Sequence, residues 1–350
     1  MNPKVLILDE PTTSLSNSDV QQLFTVVRKL KENGTGIIFV THKLAEIMEL
    51  TDRVTILRDG KNISTFEREE YDTGRIIHDM IGRDIKNMYE KRDTKIGEEV
   101  LRVENLTIEH PYIAGKNLVE NESFTVHAGE VLGMSGLVGA GRSEVCMGIY
   151  GMTPIKSGKI FLNGKEAHIH STEDAVKHGI GMVSEDRKNF GLNFVWDIRN
   201  NIAISNLKAI GAGPVVLARK LKERAKKYFD DLRVKAQSPE TKVATLSGGN
   251  QQKVVIARTL NTEPRLIILD EPTKGIDVGS KNEIYTIINQ MVAQGVAVIM
   301  ISSELPELVA MSDRVVVMAE GRVVGELEGD DVQDNKIMEM AVTTFKTIAS

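Results

Sequence analysis

Cysteine is almost absent: Cys146 is the only one in 350 residues, so no intrachain disulfide can form and a reducing compartment is the natural setting. An excess of basic charge is also missing. Lys and Arg number 44 against 49 Asp and Glu, a formal net charge of -5, so the bulk electrostatics does not point to nucleic acid as a partner. No apolar run approaches the ~18–20 residues of a membrane span, and stretches such as Gly295 to Ile301 are strand-sized. Near the N-terminus, Val5 to Leu8 are followed at once by Asp9 and Glu10, too short for a signal-peptide core, and export is not expected. What is present, 41% hydrophobic and 27% charged residues, excludes collagenous, low-complexity and largely disordered chains. The length predicts two domains, or one large domain with extras.

Two segments answer each other at a fixed offset of 261 residues. Val5-Leu-Ile-Leu-Asp-Glu-Pro-Thr12 matches Leu266-Ile-Ile-Leu-Asp-Glu-Pro-Thr273, Ile37 to Leu44 matches Val298 to Leu305, and Asp52-Arg-Val54 matches Asp313-Arg-Val315. The later copy begins near Leu101, so about 160 residues of the earlier one have no counterpart here. Residues 1–84 are therefore expected to be the tail of one domain, 85–99 a charged linker, and 100–345 a complete second domain. Strand-like runs at Lys4 to Leu8, Gly36 to Val40 and Arg53 to Leu57, with helical patterns between, predict an α/β fold with a parallel sheet. Leu101 to Gly133 reads as a small antiparallel sheet, and Ile198 to Lys235 as helix-rich.

Gly136-Leu-Val-Gly139-Ala140-Gly141-Arg142-Ser143-Glu144 follows an apolar run and precedes a helical pattern. Glycines there let successive backbone N–H groups curl around phosphate oxygens, and the following helix adds its dipole. The spacing G-x-x-x-x-G-[KR]-[ST] fits, with Arg142 where lysine is standard. Far along the chain, Leu266 to Leu269 form a buried-strand run ending in Asp270 and Glu271. Asp270, with Ser143, suits Mg²⁺, and Glu271 suits proton abstraction from an attacking water. Between them, Ser247, Gly248 and Gly249 at a helix start form a second anion-binding terminus.

The run Leu246-Ser-Gly-Gly-Asn-Gln-Gln-Lys253 strongly resembles the signature of the ATP-binding subunits of ABC transporters, and the phosphate loop, signature, Asp-Glu strand and switch segment follow in that family's order. A narrower likeness, carried by Gly139-Ala-Gly-Arg-Ser143, Ser184-Glu-Asp-Arg-Lys188 and the signature's own form, is to bacterial carbohydrate importers of the ribose, galactose and xylose type; Ile287-Ile-Asn-Gln290 and Gly295-Val-Ala-Val-Ile299 to Ser302-Ser-Glu-Leu-Pro-Glu307 look most like the xylose type. That resemblance implies a P-loop NTPase fold with an antiparallel β subdomain and a helical subdomain. It also implies ATP and Mg²⁺ as ligands, membrane-spanning permease subunits and, indirectly, a sugar-binding protein as partners, and a place at the cytoplasmic face of the membrane.

In the family each ATP lies between the phosphate loop of one cassette and the signature of the other. The resemblance thus gives Asp9, Glu10 and His42 the metal, base and switch roles of a first site, together with the Ser247 signature; its own phosphate loop is not in this chain. The second site departs from the pattern at three places: Arg142, Glu185 where a glutamine would reach metal and γ-phosphate, and Ser303 in the position of His42. With Glu271 intact, this site is expected to bind Mg-ATP and turn it over slowly or not at all. A twin-cassette ATPase acting on ribosomes is the competing reading, disfavoured by the acidic charge and short linker; a nucleotide-binding fragment without transport activity is a third. His168 and His170 share no carboxylate or cysteine cluster, and Arg219 to Lys227 carries an apolar stripe with a solvated basic face.

Overall fold

The computed structural model describes residues 3–12, 17–41, 44–58, 60–81, 95–110, 112–113, 115–137, 139–212 and 215–348. They fall into two compact units, 1–90 with 275–282, and 91–274 with 283–350.

In the first unit, β1 (Val5–Asp9), α1 (Asn17–Glu32), β2 (Gly36–Val40), α2 (Leu44–Leu50), β3 (Arg53–Arg58), β4 (Lys61–Glu67) and α3 (Thr73–Ile81) follow in order. β1 and β2 pair in parallel, whereas β3 and β4 form a separate antiparallel hairpin. The single parallel sheet expected of the three strand-like runs is therefore not formed, and β4 was not anticipated.

The second unit supplies the reason. It continues through β5 (Glu99–Glu109), β6 (Asn117–His127), β7 (Val131–Gly136), α4 (Arg142–Ile149), β8 (Ser157–Leu162), β9 (Lys165–Glu166), α5 (Thr172–Lys177) and β10 (Ile180–Val183). Helices α6 (Ile198–Ala203) and α7 (Leu207–Ile210), the short strands β11 (Gly211–Ala212) and β12 (Val215–Val216), and α8 (Ala218–Asp231) make the helical section. Then come α9 (Gly248–Leu260), β13 (Leu266–Asp270), α10 (Val278–Ala293, of which residues 283–293 belong to this unit), β14 (Ala297–Ile301), α11 (Leu305–Met311), β15 (Arg314–Ala319), β16 (Arg322–Glu328) and α12 (Asp334–Ile348). The main sheet has the order β10-β13-β14-β7-β15-β16, parallel except for its β15–β16 edge. β7, the strand that leads into the phosphate loop, joins β14 to β15.

The two copies keep one register. Val5 faces Gly36 as Leu266 faces Ala297, and Arg53 faces Glu67 as Arg314 faces Glu328. Even the irregularity between Ile56 and Leu57 recurs between Val317 and Met318. Among the described residues of the first unit, no strand corresponds to β7, and β1–β2 and β3–β4 remain separate two-stranded sheets. Burial follows suit: β13 and β14 are buried throughout, whereas Val5, Ile7, Ile38 and Val40 on β1 and β2 are exposed.

A four-stranded sheet of order β6-β5-β8-β9 forms the antiparallel layer of the second unit. It is built from alternating apolar residues, and Leu101, Val103, Leu106, Ile108, Val119 and Val126 join the core against β7 and α4. Its first hairpin ends at His127 and its other two strands, β8 and β9, follow α4, whereas Val131 to Gly133, expected within it, belong to the parallel sheet. On α8, Ala225 and Tyr228 are buried and Arg219, Lys220, Lys222, Lys226 and Lys227 are exposed, but Arg224 is half-buried and bonded to Asn261 and Glu263. Among the described residues, no helix is long and apolar enough to cross a membrane.

Candidate functional site

The phosphate loop leaves β7 at the centre of the sheet. Gly136 has φ 149°, Gly139 has φ 82° and Gly141 has φ 98°, conformations that a side chain would strain. A Cβ on Gly136 would stand 2.3 Å from the carbonyl oxygen of Met318, and one on Gly141 3.1 Å from that of Leu118. The loop is pinned by hydrogen bonds from Gly321 N to Ala140 O at 3.0 Å and from Ala140 N to Leu137 O at 3.0 Å. Gly141 caps α4, so Arg142, Ser143 and Glu144 form its first turn, whose N–H groups have no acceptor within the helix. Gly136→Ala is expected to lower stability by roughly 2–4 kcal/mol, because both the backbone angle and the Met318 carbonyl oppose the methyl group. A thermal-unfolding midpoint unchanged from wild type would refute this.

Asp270 ends β13 beside this loop and is buried, with its Oδ1 lacking any hydrogen-bond partner. Burial pushes its carboxyl above the ordinary range, and a hydrogen bond from Ser143 and the charge of Arg142 act in the other direction. Such an orphaned buried oxygen next to the Ser143 hydroxyl is the donor set a hard cation needs when phosphate oxygens complete its shell. Glu271 follows in the left-handed region, φ 49°, its N–H bonded to Ile301 O at 2.9 Å. That turn lifts the carboxylate out of the strand, where Ser303 Oγ donates to Glu271 Oε2 at 3.0 Å. Burial raises the Glu271 carboxyl to about 7, against the lowering effects of Ser303, Lys274 and Arg142. Ser303, the counterpart of His42 at the offset of 261, thus contacts the Glu271 carboxylate directly. Glu185 pairs with Lys274 at 2.5 Å.

The first copy repeats the turn: Glu10 has φ 42° and its N–H bonds Val40 O at 2.9 Å. Asp9 ends β1 and is exposed. His42 lies outside the described residues.

Ser247 sits at the N-cap of α9, with Gly248 and Gly249 in its first turn. Asn250 Nδ2 donates to Ser247 Oγ at 2.9 Å, and Asn250 Oδ1 accepts from Lys235 N at 2.7 Å, fixing the signature turn. Among the described residues, no hydrogen bond joins Ser247, Gly248 or Gly249 to the phosphate loop, Asp270 or Glu271. The loop, Asp270, Glu271, Glu185 and Ser303 form one cluster; the signature stands apart from it.

Three features escaped the sequence reading. Glu307 is buried and accepts from Thr273 Oγ1 at 2.8 Å and Ser302 Oγ at 2.5 Å, tying the turn after Glu271 to the residue before Ser303. Glu46 does the same in the first copy, with Thr12 at 2.5 Å and Thr41 at 2.6 Å. Each member recurs at the offset of 261, which was the signal that could have found the clamp. Lys253, inside the signature run, is buried against Glu283 at 2.7 Å. Lys274 is the third.

Residues 119–274 match the family described as ABC transporter. The xylose import ATP-binding protein XylG of Thermoanaerobacter pseudethanolicus is 44% identical over 339 residues, covering 97% of this chain and 67% of that protein. The ribose import ATP-binding protein RbsA of Geobacillus kaustophilus is 44% identical over 340 residues, with the same coverage. RbsA of Bacillus subtilis is 41% identical over 340 residues. The chain therefore spans about two thirds of the length of these relatives. Among solved structures, MJ1267, an ATP-binding cassette of an ABC transporter, superimposes with a TM-score of 0.60 at 22% identity, over 69% of this chain and 98% of that one, a likeness of fold. The order of motifs, the sheet that positions them and these relatives together establish that the chain belongs to the ABC transporter family, as one of its ATP-binding proteins.

Proposed function

We propose that this protein is the ATP-driven motor of a monosaccharide importer, binding and hydrolysing ATP to drive passage of a sugar through separate membrane-spanning permease subunits at the cytoplasmic face of the membrane. The observation that carries this reading is the cluster of phosphate loop, Asp270 and Glu271 in a chain whose 44%-identical relatives are named for xylose and ribose import. A sugar-binding protein would deliver the substrate to the permease.

In the second cassette the loop from Gly136 to Ser143 would hold the phosphates through backbone N–H groups and the α4 terminus. Ser143 and Asp270 would hold Mg²⁺, which, when bound, neutralises phosphate charge. Glu271 is placed to take a proton from an attacking water, and its carboxyl near 7 is poised for that at physiological pH. Yet Ser303 brings no positive charge to the transferring phosphoryl group, and its hydroxyl occupies one oxygen of the base. These features support a reading in which turnover in this cassette is slow and Glu10 of the first is the principal base.

The test is uptake of radiolabelled ribose and xylose by cells in which the encoding gene is deleted and then returned. Uptake of one sugar should fall on deletion and recover with the wild-type gene and with Glu271→Gln, but not with Glu10→Gln. Unchanged uptake of both sugars after deletion would overturn the proposal.

A further inference from the structure

The second phosphate-loop site is rich in carboxylates. Glu185 and Glu144 lie close enough to act on the charge of Asp270, and Asp270 on that of Glu271; Arg142 opposes at both carboxylates and Lys274 at Glu271. A triphosphate entering here would add several more negative charges, and Ser303 offers none of the positive charge that His42 carries when protonated.

Lys274 is built to supply it. Its N–H bonds Glu271 O at 3.2 Å, and its own carbonyl accepts from Arg187 Nη1 at 3.2 Å, so its backbone is fixed between the candidate base and the segment that carries Glu185. Its side chain is about half exposed, and the ammonium rests 2.5 Å from Glu185 Oε1, itself about half exposed. An ion pair with that exposure is held weakly, and a polyphosphate of higher charge density can displace it. The internal repeat adds an independent observation. Lys274 corresponds to Thr13 and Ser303 to His42 at the offset of 261, so where one copy has its switch histidine and no lysine, the other has the lysine and no histidine.

We propose that Lys274 is a phosphate-contacting residue of the second cassette, held on Glu185 while the site is empty and passed to the terminal phosphate when a nucleoside triphosphate binds. Glu185 is then a positioning residue for that lysine. This rests on the reading of Gly136 to Ser143 as a nucleotide site.

The experiment is titration of the chain with trinitrophenyl-ATP and trinitrophenyl-ADP in Mg²⁺, followed by probe fluorescence, for wild type, Lys274→Ala, Lys274→Arg, Glu185→Gln and the Glu185→Gln/Lys274→Ala double variant. Lys274→Ala should weaken the triphosphate about 10-fold or more, the scale of one hydrogen bond to a charged group, and the diphosphate less than about 2-fold. Lys274→Arg should recover most of the loss. The same loss should persist in the Glu185→Gln background. If it disappears there, Lys274 only neutralises Glu185, and the proposal is wrong; equal losses for both probes would also overturn it. Wild type binding neither probe would instead remove the nucleotide site itself, and the proposal with it.

Discussion

Glu283→Ala is expected to destabilise the second unit by roughly 3 kcal/mol, and Lys253→Met by less than half as much. The asymmetry comes from where the two charges lie. Lys253 Nζ is buried in α9, bonded to Glu283 Oε2 at 2.7 Å and to the carbonyl of Arg233 at 3.0 Å. Glu283 is partly open to solvent and also meets Lys235 at 2.9 Å. Burial alone would raise its carboxyl, but the two lysines hold it below the ordinary value. Removing Glu283 therefore strands an ammonium in the core, whereas removing Lys253 leaves a carboxylate that keeps water and a second lysine. Methionine also retains the packing of the lysine stem. Trp196, the only tryptophan, lies in the same unit and its carbonyl accepts from Val243 N, so its fluorescence in a urea titration reports this unit directly. Equal costs, or the reverse order, would show that the pair is not desolvated as described.

The pair bears on function through the element it fixes. The signature turn at Ser247 is rigid because Asn250 bridges it to Lys235, and Lys253 anchors the next turn of α9 to α10. A group that must meet a phosphate gains from such preorganisation, since nothing has to be ordered on contact. Lys253 thus looks in sequence like part of an anion-binding motif, but its ammonium is spent internally. Only its burial reveals that.

The fold was largely legible because its signals are local. Apolar runs of five residues gave the strands, glycines at fixed spacing gave the phosphate loop, and the repeat gave the register between copies. β4 was missed since Lys61 to Glu67 has few apolar residues and borrows its stability from β3. The break between β2 and β3 ran against the expected single sheet: among the described residues no strand stands for β7, which joins their counterparts β14 and β15. At the site, residue identities pointed to Asp270 and Glu271, while pairings over long separations were invisible. Glu185 read as misplaced negative charge until Lys274, 89 residues away, was found beside it. Ser303 read as a lost histidine, and its bond to Glu271 needed coordinates.

Stability should fall as pH rises from about 4.5 to about 7, and Glu122 makes a distinct contribution to that slope. Glu122 lies on β6, 2% exposed, with Oε1 accepting from Val323 N at 2.6 Å and Oε2 without a partner. Burial pushes its carboxyl from 4.5 to about 7, against the Val323 N–H and the charge of Arg322. Between those values the folded chain holds a proton that the unfolded chain has released, so each step up in pH favours unfolding, and the effect is complete above the folded value. The full shift corresponds to on the order of 3 kcal/mol, an upper bound because Glu122 lines a surface cavity of about 530 Å³ that admits water. Glutamine keeps the acceptor for Val323 and presents an uncharged amide to the cavity. Glu122→Gln should therefore match wild type near pH 4.5 and exceed it increasingly up to pH 8, as read by urea midpoints across that range. Glu271, also near 7, adds to the wild-type slope, yet it is present in both proteins and cancels from the difference. A difference that stays constant with pH would mean that Glu122 remains ionised throughout, with Arg322 turned toward it in place of Glu120.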